Sequence, residues 1–107
     1  MSALLLDLRE ENFDDSINKG LSLIDFYAPW CGPCKAQKPV LESIAEEMEH
    51  KIQVAKVNVD NCPNLASKHR IMSLPTLIIF NEGKEVKRLI GLQRKEDLNA
   101  ALSRYWN

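Results

Sequence analysis

The sequence predicts an α/β fold, with one mixed β-sheet flanked by helices on both faces. Apolar runs typical of strands alternate with amphipathic segments typical of helices along the 107 residues. The run Leu21–Ala28 is apolar on both faces, as a central strand covered on both sides must be. Two later apolar strands are joined through a turn made of Asn81, Glu82 and Gly83, which predicts a hairpin. We find neither repeats nor linkers, so we expect residues 1–107 to form a single domain.

The first half of the chain contains two predicted strands and two predicted helices. Ala3–Leu8 is short and apolar, which suits an edge strand, and Asn12–Asn18 fits a short helix closed by Gly20. The central strand follows. A longer helix begins near Pro33, since a proline in the first turn costs no hydrogen bond. Its buried face is one helical stripe of apolar residues: Val40, Leu41, Ile44, Ala45 and Met48.

The second half adds three strands and two helices. Ile52–Val59 alternates well enough for a strand, Pro63–Lys68 fits a short helix, and Thr76–Phe80 is an apolar run typical of a buried strand. The hairpin turn leads into Val86–Ile90. A final helix has an apolar face made of Leu98, Ala101, Leu102 and Tyr105. The resulting order, βαβαβαββα, predicts a mixed sheet between helical layers.

Charge and composition exclude several classes of function. Basic and acidic residues nearly balance, 14 against 15, so no basic field is available for nucleic acid or an anionic membrane. The N-terminal segment lacks the basic region of a signal peptide, and no apolar run reaches the length of a membrane span. Three cysteines cannot all pair internally, which argues against a disulfide-stapled secreted scaffold. We therefore expect a cytoplasmic protein.

The segment Trp30-Cys31-Gly32-Pro33-Cys34 is the most informative feature of the chain. Two cysteines separated by two residues can close into a disulfide ring and open again, or they can supply half of a metal site. Random placement of this composition yields about 0.08 such pairs, but only on the order of 3 × 10⁻⁶ with the same Trp, Gly and Pro. The whole segment is therefore a specific signal for cysteine chemistry.

The positions of the two cysteines predict different roles. A thiol attacks only as a thiolate, and the start of a helix favours that anion, so Cys31 is expected to be exposed and nucleophilic. Cys34, one turn into the helix, should be more buried and should resolve the mixed disulfide that Cys31 forms with a substrate. Gly32 would let a partner backbone approach closely, and Pro33 would stiffen the loop and stabilise the dithiol form.

A structural zinc site is the competing interpretation of the pair. It requires two further ligands, for which Cys62 and His69 are the tempting residues. Their separation lacks the spacing of a zinc knuckle, and a proline between ligating cysteines fits poorly. The sequence therefore favours redox chemistry without a bound metal.

The residues around the cysteine pair resemble the thioredoxin family, and the match runs nearly from end to end. Asp25–Ala28 precede the pair, Lys35 follows it, and Ser73–Thr76 and Gly91 come later at matching positions. The resemblance implies the thioredoxin fold and a protein-disulfide reductase that reduces rather than oxidises. We also expect a monomer, and because the sequence contains no nucleotide-binding motif, the chain should need no bound cofactor. Its partners would be client proteins with disulfides and a flavin-containing thioredoxin reductase that supplies electrons from NADPH.

By position, the resemblance assigns roles to two residues outside the pair. Asp25 matches the family's buried carboxylate beneath Cys34, where desolvation would raise its pKa into a range useful for moving a proton. Lys56 matches a lysine that lies near that carboxylate and has a modulating role at most. A hydrogen-bonded structural aspartate is the alternative for Asp25, and a solvated strand residue is the alternative for Lys56.

The same resemblance assigns a substrate surface. Pro75 matches the family's cis-proline, which would expose the backbone of Leu74 for strand-like pairing with a substrate. From sequence alone, a proline before a strand more often begins it in the trans form, and Gly91 could equally be a turn glycine. The implied apolar platform around Cys31 consists of Trp30, Gly32, Leu74, Pro75 and Gly91, with Pro33 beside them.

Several residues depart from the family pattern. Tyr27 stands where many members have Trp, and Leu74 stands where Ile is usual. Met72 and Ser73 lie in a loop that often holds Arg and Gly. These departures leave the chemistry intact and bear on the preference for clients and for a reductase.

The third cysteine leaves two interpretations open. Cys62 precedes Pro63 at the start of a short helix, where a thiol can be activated, but it could also be an inert, half-buried thiol. If it is activated, oxidation should produce a dimer linked through Cys62. His50 and His69 have no predicted partner, so both are expected at the surface.

A second class of function is a redox-independent binding or assembly subunit that uses the fold as a scaffold. The cysteines would then be incidental. The intact pair of Cys31 and Cys34 favours the enzyme. Replacing both cysteines distinguishes the two hypotheses, because a pure adaptor would keep its activity.

Overall fold

The computed structural model describes residues 5–106, in which one five-stranded sheet carries four helices. The strands are β1 (Leu5–Leu8), β2 (Leu21–Tyr27), β3 (Gln53–Asn58), β4 (Thr76–Asn81) and β5 (Lys84–Ile90). The helices are α1 (Phe13–Ile17), α2 (Gly32–Glu47), α3 (Pro63–Lys68) and α4 (Lys95–Ser103). The predicted order is confirmed, although β5 begins before the predicted Val86. Ala3, predicted as the start of the first strand, lies outside the described residues.

Strand β2 lies at the centre of the sheet, whose strand order is β1-β3-β2-β4-β5. It pairs in parallel with β3 and antiparallel with β4, so the sheet is mixed as predicted. Strands β4 and β5 form the predicted hairpin. Its turn residues Glu82 and Gly83 have positive φ angles of 54° and 84°. Two such angles in succession match the natural twist of paired strands.

Two apolar cores cover the two faces of the sheet, because alternate residues of β2 point to opposite sides. Helices α1 and α3 pack on one face, where Phe13, Phe26 and Phe80 are fully or almost fully buried. Helices α2 and α4 pack on the other face through side chains that include Leu41 and Leu98. The prediction of helices on both faces is therefore confirmed. None of the helices within residues 5–106 is long and apolar enough to cross a membrane.

The prediction that His69 lies free at the surface was wrong. His69 follows α3, and its ring centre lies 5.2 Å from that of Phe13, 5.7 Å from Phe26 and 5.6 Å from Phe80. These three phenylalanines come from α1, β2 and β4. The sequence around His69 could not predict these contacts, because the three phenylalanines belong to elements that are distant along the chain. His50, by contrast, is exposed as predicted.

Candidate active site

The N-terminus of α2 carries the cysteine pair. Cys31 is the residue before the helix, and its Sγ accepts a hydrogen bond from the backbone N–H of Cys34 at 3.3 Å. A capping side chain makes this kind of bond, since the first N–H groups of a helix have no partner inside it. Pro33 lies in the first turn, where its missing N–H is not needed. The two sulfurs are joined as a disulfide, with 5.3 Å between the Cα atoms.

The two cysteines are equally buried, which corrects the expectation of an exposed Cys31 and a more buried Cys34. Each is 5% exposed, and both pack in one cluster with Ala28, Tyr27 and Leu74. Closing the disulfide brings the two sulfurs into the same small cluster, so exposure does not distinguish them. Their surroundings do, because Cys31 borders an outer groove and Cys34 lines a separate pocket.

Asp25 lines the same pocket as Cys34, a space of about 120 Å³ bounded by β1, β2, β3 and α2. Its side chain is almost fully buried, and Oδ1 has no hydrogen-bond partner among residues 5–106. Burial raises the pKa of Asp25 from 3.8 to about 7, although the positive charge of Lys56 acts to lower it. A carboxyl group with this pKa can both take up and release a proton near neutral pH.

Three lysines line the pocket that contains Asp25. Lys56 is the register partner of Asp25 on the neighbouring strand β3 and is half-buried. Its ammonium lies 5.2 Å from the centre of the Tyr27 ring, where a cation–π contact favours it. Lys35 and Lys38 of α2 complete the set. The structure thus brings Lys56 to the carboxyl group, as the resemblance implied.

A groove of about 490 Å³ runs past Cys31. The segment 30–33 and the loop segment 71–74 both contribute to its lining. Trp30 is 70% exposed, and its indole N–H donates a hydrogen bond to Asp60 Oδ2 at 3.0 Å, which fixes the ring at the groove. An exposed and largely apolar surface of this kind suits contact with another protein.

The peptide bond between Leu74 and Pro75 is cis, as the resemblance implied. The Pro75 carbonyl accepts a hydrogen bond from the Gly91 N–H at 2.8 Å, which ties this loop to the end of β5. Gly91 has a φ of +88°, so glycine meets a backbone requirement at this position. Three of the five expected platform residues line the groove directly, namely Trp30, Gly32 and Leu74, together with Pro33 beside them. Pro75 and Gly91 do not line it.

Two residues of this region were missed by the sequence analysis. Gln37 is fully buried in α2; its side-chain amide donates to the Gln93 carbonyl at 3.1 Å, and its Oε1 accepts from the Gln93 N–H at 2.7 Å. These bonds fasten the loop after β5 to the helix that carries the cysteines. A signal existed, because Gln37 shares the apolar stripe with Leu41. No sequence pattern indicated Asp60, because its hydrogen-bond partner Trp30 is 30 residues away along the chain.

Cys62 immediately precedes α3, yet it is only 1% exposed. Its Sγ donates to the Leu8 carbonyl over 3.9 Å, and within the described chain it makes no capping bond to its helix. Burial raises the pKa of Cys62 above its usual value, and the charge of Glu10 raises it further. This geometry favours the inert thiol over the activated one. Across residues 5–106, no group of three or more His, Cys, Asp or Glu side chains could hold a metal ion.

A disulfide at a helix start, a buried carboxyl group and an apolar groove together define a thiol–disulfide exchange site on a mixed α/β sheet.

The family model described as thioredoxin matches residues 5–104. The chain is 49% identical over 96 residues to a thioredoxin of Chlamydia trachomatis, covering 90% of this chain and 93% of that protein. It is 42% identical over 101 residues to a thioredoxin of Staphylococcus saprophyticus, covering 94% and 97% respectively. A solved mutant thioredoxin from Halobacterium salinarum has a TM-score of 0.87 at 33% identity, over 100% of this chain and 96% of that one.

The chain therefore belongs to the thioredoxin family. It is a protein-disulfide reductase, and Cys31 and Cys34 form its redox-active pair. The predicted fold, the family resemblance and the predicted class of activity are confirmed together.

Proposed function

We propose that Cys31 is the nucleophile of this reductase and that Cys34 is the resolving thiol. The assignment rests on the position of Cys31, which lines the groove while its Sγ accepts a hydrogen bond from the Cys34 backbone N–H. In the dithiol form, this N–H and the positive end of α2 stabilise a Cys31 thiolate. A client disulfide can approach that sulfur from the groove, whereas Cys34 faces the pocket of Asp25.

The exchange takes two steps. The Cys31 thiolate attacks one sulfur of the client disulfide, the client S–S bond breaks, and the other client sulfur leaves as a thiol after taking up a proton. The Cys34 thiolate then attacks Cys31 Sγ in the mixed disulfide. The second client sulfur leaves as a thiolate and takes up a proton, and the Cys31–Cys34 disulfide forms. Two electrons have passed from the protein to the client.

The second step requires the Cys34 thiol to lose its proton, and Asp25 is the proposed acceptor. The two residues line one pocket, and the Asp25 carboxyl group has a pKa of about 7. Burial has removed it from bulk water, so its ionised form is a stronger base than an ordinary carboxylate. Lys56 lowers the pKa of Asp25 and thereby modulates this base.

The groove beside Cys31 is the proposed site of client docking. Trp30, Gly32, Pro33 and Leu74 supply the apolar surface. An extended client segment would pair with the backbone of Leu74, next to the cis bond to Pro75, as an added strand does at a sheet edge. Gly91 would complete the platform through its bond to the Pro75 carbonyl.

We also propose the compartment, the oligomeric state and the partners with which the protein acts. The protein works in the cytoplasm as a single-domain monomer without a bound cofactor, and a thioredoxin reductase returns it to the dithiol form with electrons from NADPH. A reducing compartment is where a pair of this type stays available as a dithiol. The proposed clients are proteins with accessible disulfides.

Reduction of insulin tests this function. The wild type should accelerate insulin reduction by dithiothreitol, and it should do the same with NADPH and a matching thioredoxin reductase. The double variant Cys31→Ser, Cys34→Ser should lose both activities. If this variant supports full function in the native cell, the redox-independent scaffold role replaces the proposal.

A further inference from the structure

Met72 is the most exposed large apolar side chain in the part of the chain that the structure describes, at 92%. It lies in the loop between α3 and β4 and lines the groove that contains Cys31 and Trp30. Met48, the other described methionine, is partly buried against the core under α2 and α4. The Met72 side chain is exposed beside the cysteine pair, so packing in the core does not explain why a methionine stands at this position.

Hydrogen bonds on both sides fix the loop that carries Met72. The Ile71 N–H donates to the Ala66 carbonyl at 2.9 Å, and the Thr76 hydroxyl donates to the Ser73 carbonyl at 2.6 Å. Ile71 also packs against the apolar core next to α1 and α3. Because its neighbours are anchored, the loop presents the Met72 side chain outward at the groove.

We propose that Met72 is an oxidation site through which hydrogen peroxide weakens client docking, an inference that rests on the proposed role of the groove. The Met72 sulfur attacks one oxygen of the peroxide, an S–O bond forms and the O–O bond breaks. The hydroxide that leaves takes the proton from the oxygen bound to sulfur, which gives water. The sulfur loses two electrons and the peroxide gains them, so the products are methionine sulfoxide and one water.

The modification changes the groove rather than the cysteine chemistry. A sulfoxide is polar, and a client that covers it with apolar surface must remove water from it without an equivalent hydrogen bond. We expect kcat/KM for a protein disulfide to fall about fivefold, because the modified side chain stays at the rim of the contact. Reduction of a small disulfide needs little of the groove and should keep its rate.

The test compares wild type, Met72→Leu and Met48→Leu, each oxidised with hydrogen peroxide while the cysteine pair is in the disulfide form. After removal of the peroxide, mass spectrometry maps the sulfoxide. Each protein is assayed before and after treatment on insulin and on dithiobis(nitrobenzoic acid), a small aromatic disulfide. Every protein serves as its own reference, so any direct effect of a leucine on docking cancels.

Met72 should be oxidised before Met48. Treated wild type and treated Met48→Leu should lose about fivefold in kcat/KM on insulin and keep the rate on the small disulfide, whereas treated Met72→Leu should keep both. An equal loss in Met72→Leu, a loss on both substrates, no loss at full Met72 oxidation, or earlier oxidation of Met48 would each overturn the proposal. Untreated wild type on insulin tests the proposed function separately.

Discussion

Cys31 and Cys62 occupy the same kind of position and have opposite surroundings. Each is the residue before a helix, and each helix has a proline in its first turn. The Cys31 sulfur accepts a bond from the N–H of Cys34 and borders the groove. The Cys62 sulfur instead turns to the Leu8 carbonyl, inside the core beneath α3.

A position at a helix start therefore does not by itself activate a thiol, and two further conditions must hold. The sulfur must point back to the free N–H groups, and a substrate must be able to reach it. Cys31 has an extended backbone, with φ −83° and ψ 116°, and its side chain caps the helix. Cys62 has φ −129° and ψ 58°, and its side chain enters the core. The nearby charge of Glu10 further opposes a Cys62 thiolate.

Serine substitutions at the three cysteines should have the largest effects and should separate the role of Cys31 from that of Cys62. Cys31→Ser should abolish insulin reduction, because no thiolate remains at the groove. Cys34→Ser should stop turnover and trap clients as mixed disulfides on Cys31, since attack remains possible while resolution is lost. Cys62→Ser is the matched control and should reduce insulin at a near-normal rate. Gels run without reductant, followed by mass spectrometry, identify the trapped species. Trapping by Cys31→Ser instead would exchange the two roles.

Asp25→Asn should slow insulin reduction about 10- to 100-fold near neutral pH, because the amide cannot accept the Cys34 proton. The rates of wild type and variant should be compared from pH 6 to 9. The wild-type rate should rise as Asp25 ionises near pH 7, and the variant should lack that rise. Equal rates across this range would remove Asp25 from the proton transfer.

The same substitution should raise stability at alkaline pH. The folded-state pKa of Asp25 is about 7 against 3.8 for the unfolded chain, so between these values the folded state binds more protons. The free energy of unfolding therefore falls as pH rises through this window, by up to about 4 kcal/mol in total. Urea unfolding at pH 8 should show Asp25→Asn more stable than wild type, and the difference should shrink toward pH 4. A pH-independent difference would contradict the assigned pKa.

His69→Phe should have a smaller effect on stability, and it probes the apolar core that also contains Cys62. Burial among three phenylalanine rings lowers the pKa of His69 from 6.5. The positive charges of Lys68 and Arg88 lower this pKa as well. The negative charges of Glu85 and Asp14 act in the opposite direction. Below pH 6.5 the unfolded chain therefore binds more protons, and wild-type stability falls as pH drops.

The phenylalanine variant should lack that loss. The urea concentrations at the unfolding midpoints of both proteins should be compared at pH 7.5 and pH 5.5. The midpoint of the variant should rise relative to that of wild type at the lower pH. The carboxylates that titrate nearby are common to both proteins, so their effects cancel in the difference. A gap between the midpoints that is the same at both pH values would refute the lowered pKa.

Cys62 should show the smallest effect of all, namely no dimer. The structure buries its sulfur, so peroxide-treated protein should stay monomeric on non-reducing gels, against the dimer that an activated Cys62 would give. The gels should look the same for wild type and Cys62→Ser. A dimer that reductant reverses, present in wild type and absent in Cys62→Ser, would show that the thiol becomes accessible.

Most of the fold could be predicted because its signals are local. The central strand is apolar on both faces over consecutive residues, and the hairpin is marked by three turn residues in a row. The cysteine pair could be found for the same reason, since Cys31 and Cys34 lie within one turn of one helix. The carboxyl group was identifiable because Asp25 is the one acid inside an otherwise apolar strand.

The remaining features depend on contacts between distant parts of the chain. Cys62 is buried against Leu8, which is 54 residues away, and the ring of His69 meets three separate elements. The equal burial of the cysteines depends on the disulfide that joins them, which a helix-start argument does not include. Local patterns predict elements, and burial is decided only when those elements pack.

Alkylation of the fully reduced protein by iodoacetamide near neutral pH tests directly whether Cys31 is the nucleophile. Peptide mapping over time gives the order in which the three thiols react. We predict that Cys31 reacts first, Cys34 more slowly, and Cys62 only after denaturant unfolds the chain, because only Cys31 combines a capping N–H with access from the groove. Modification of Cys34 or Cys62 before Cys31 would contradict the assignment of Cys31 as the nucleophile.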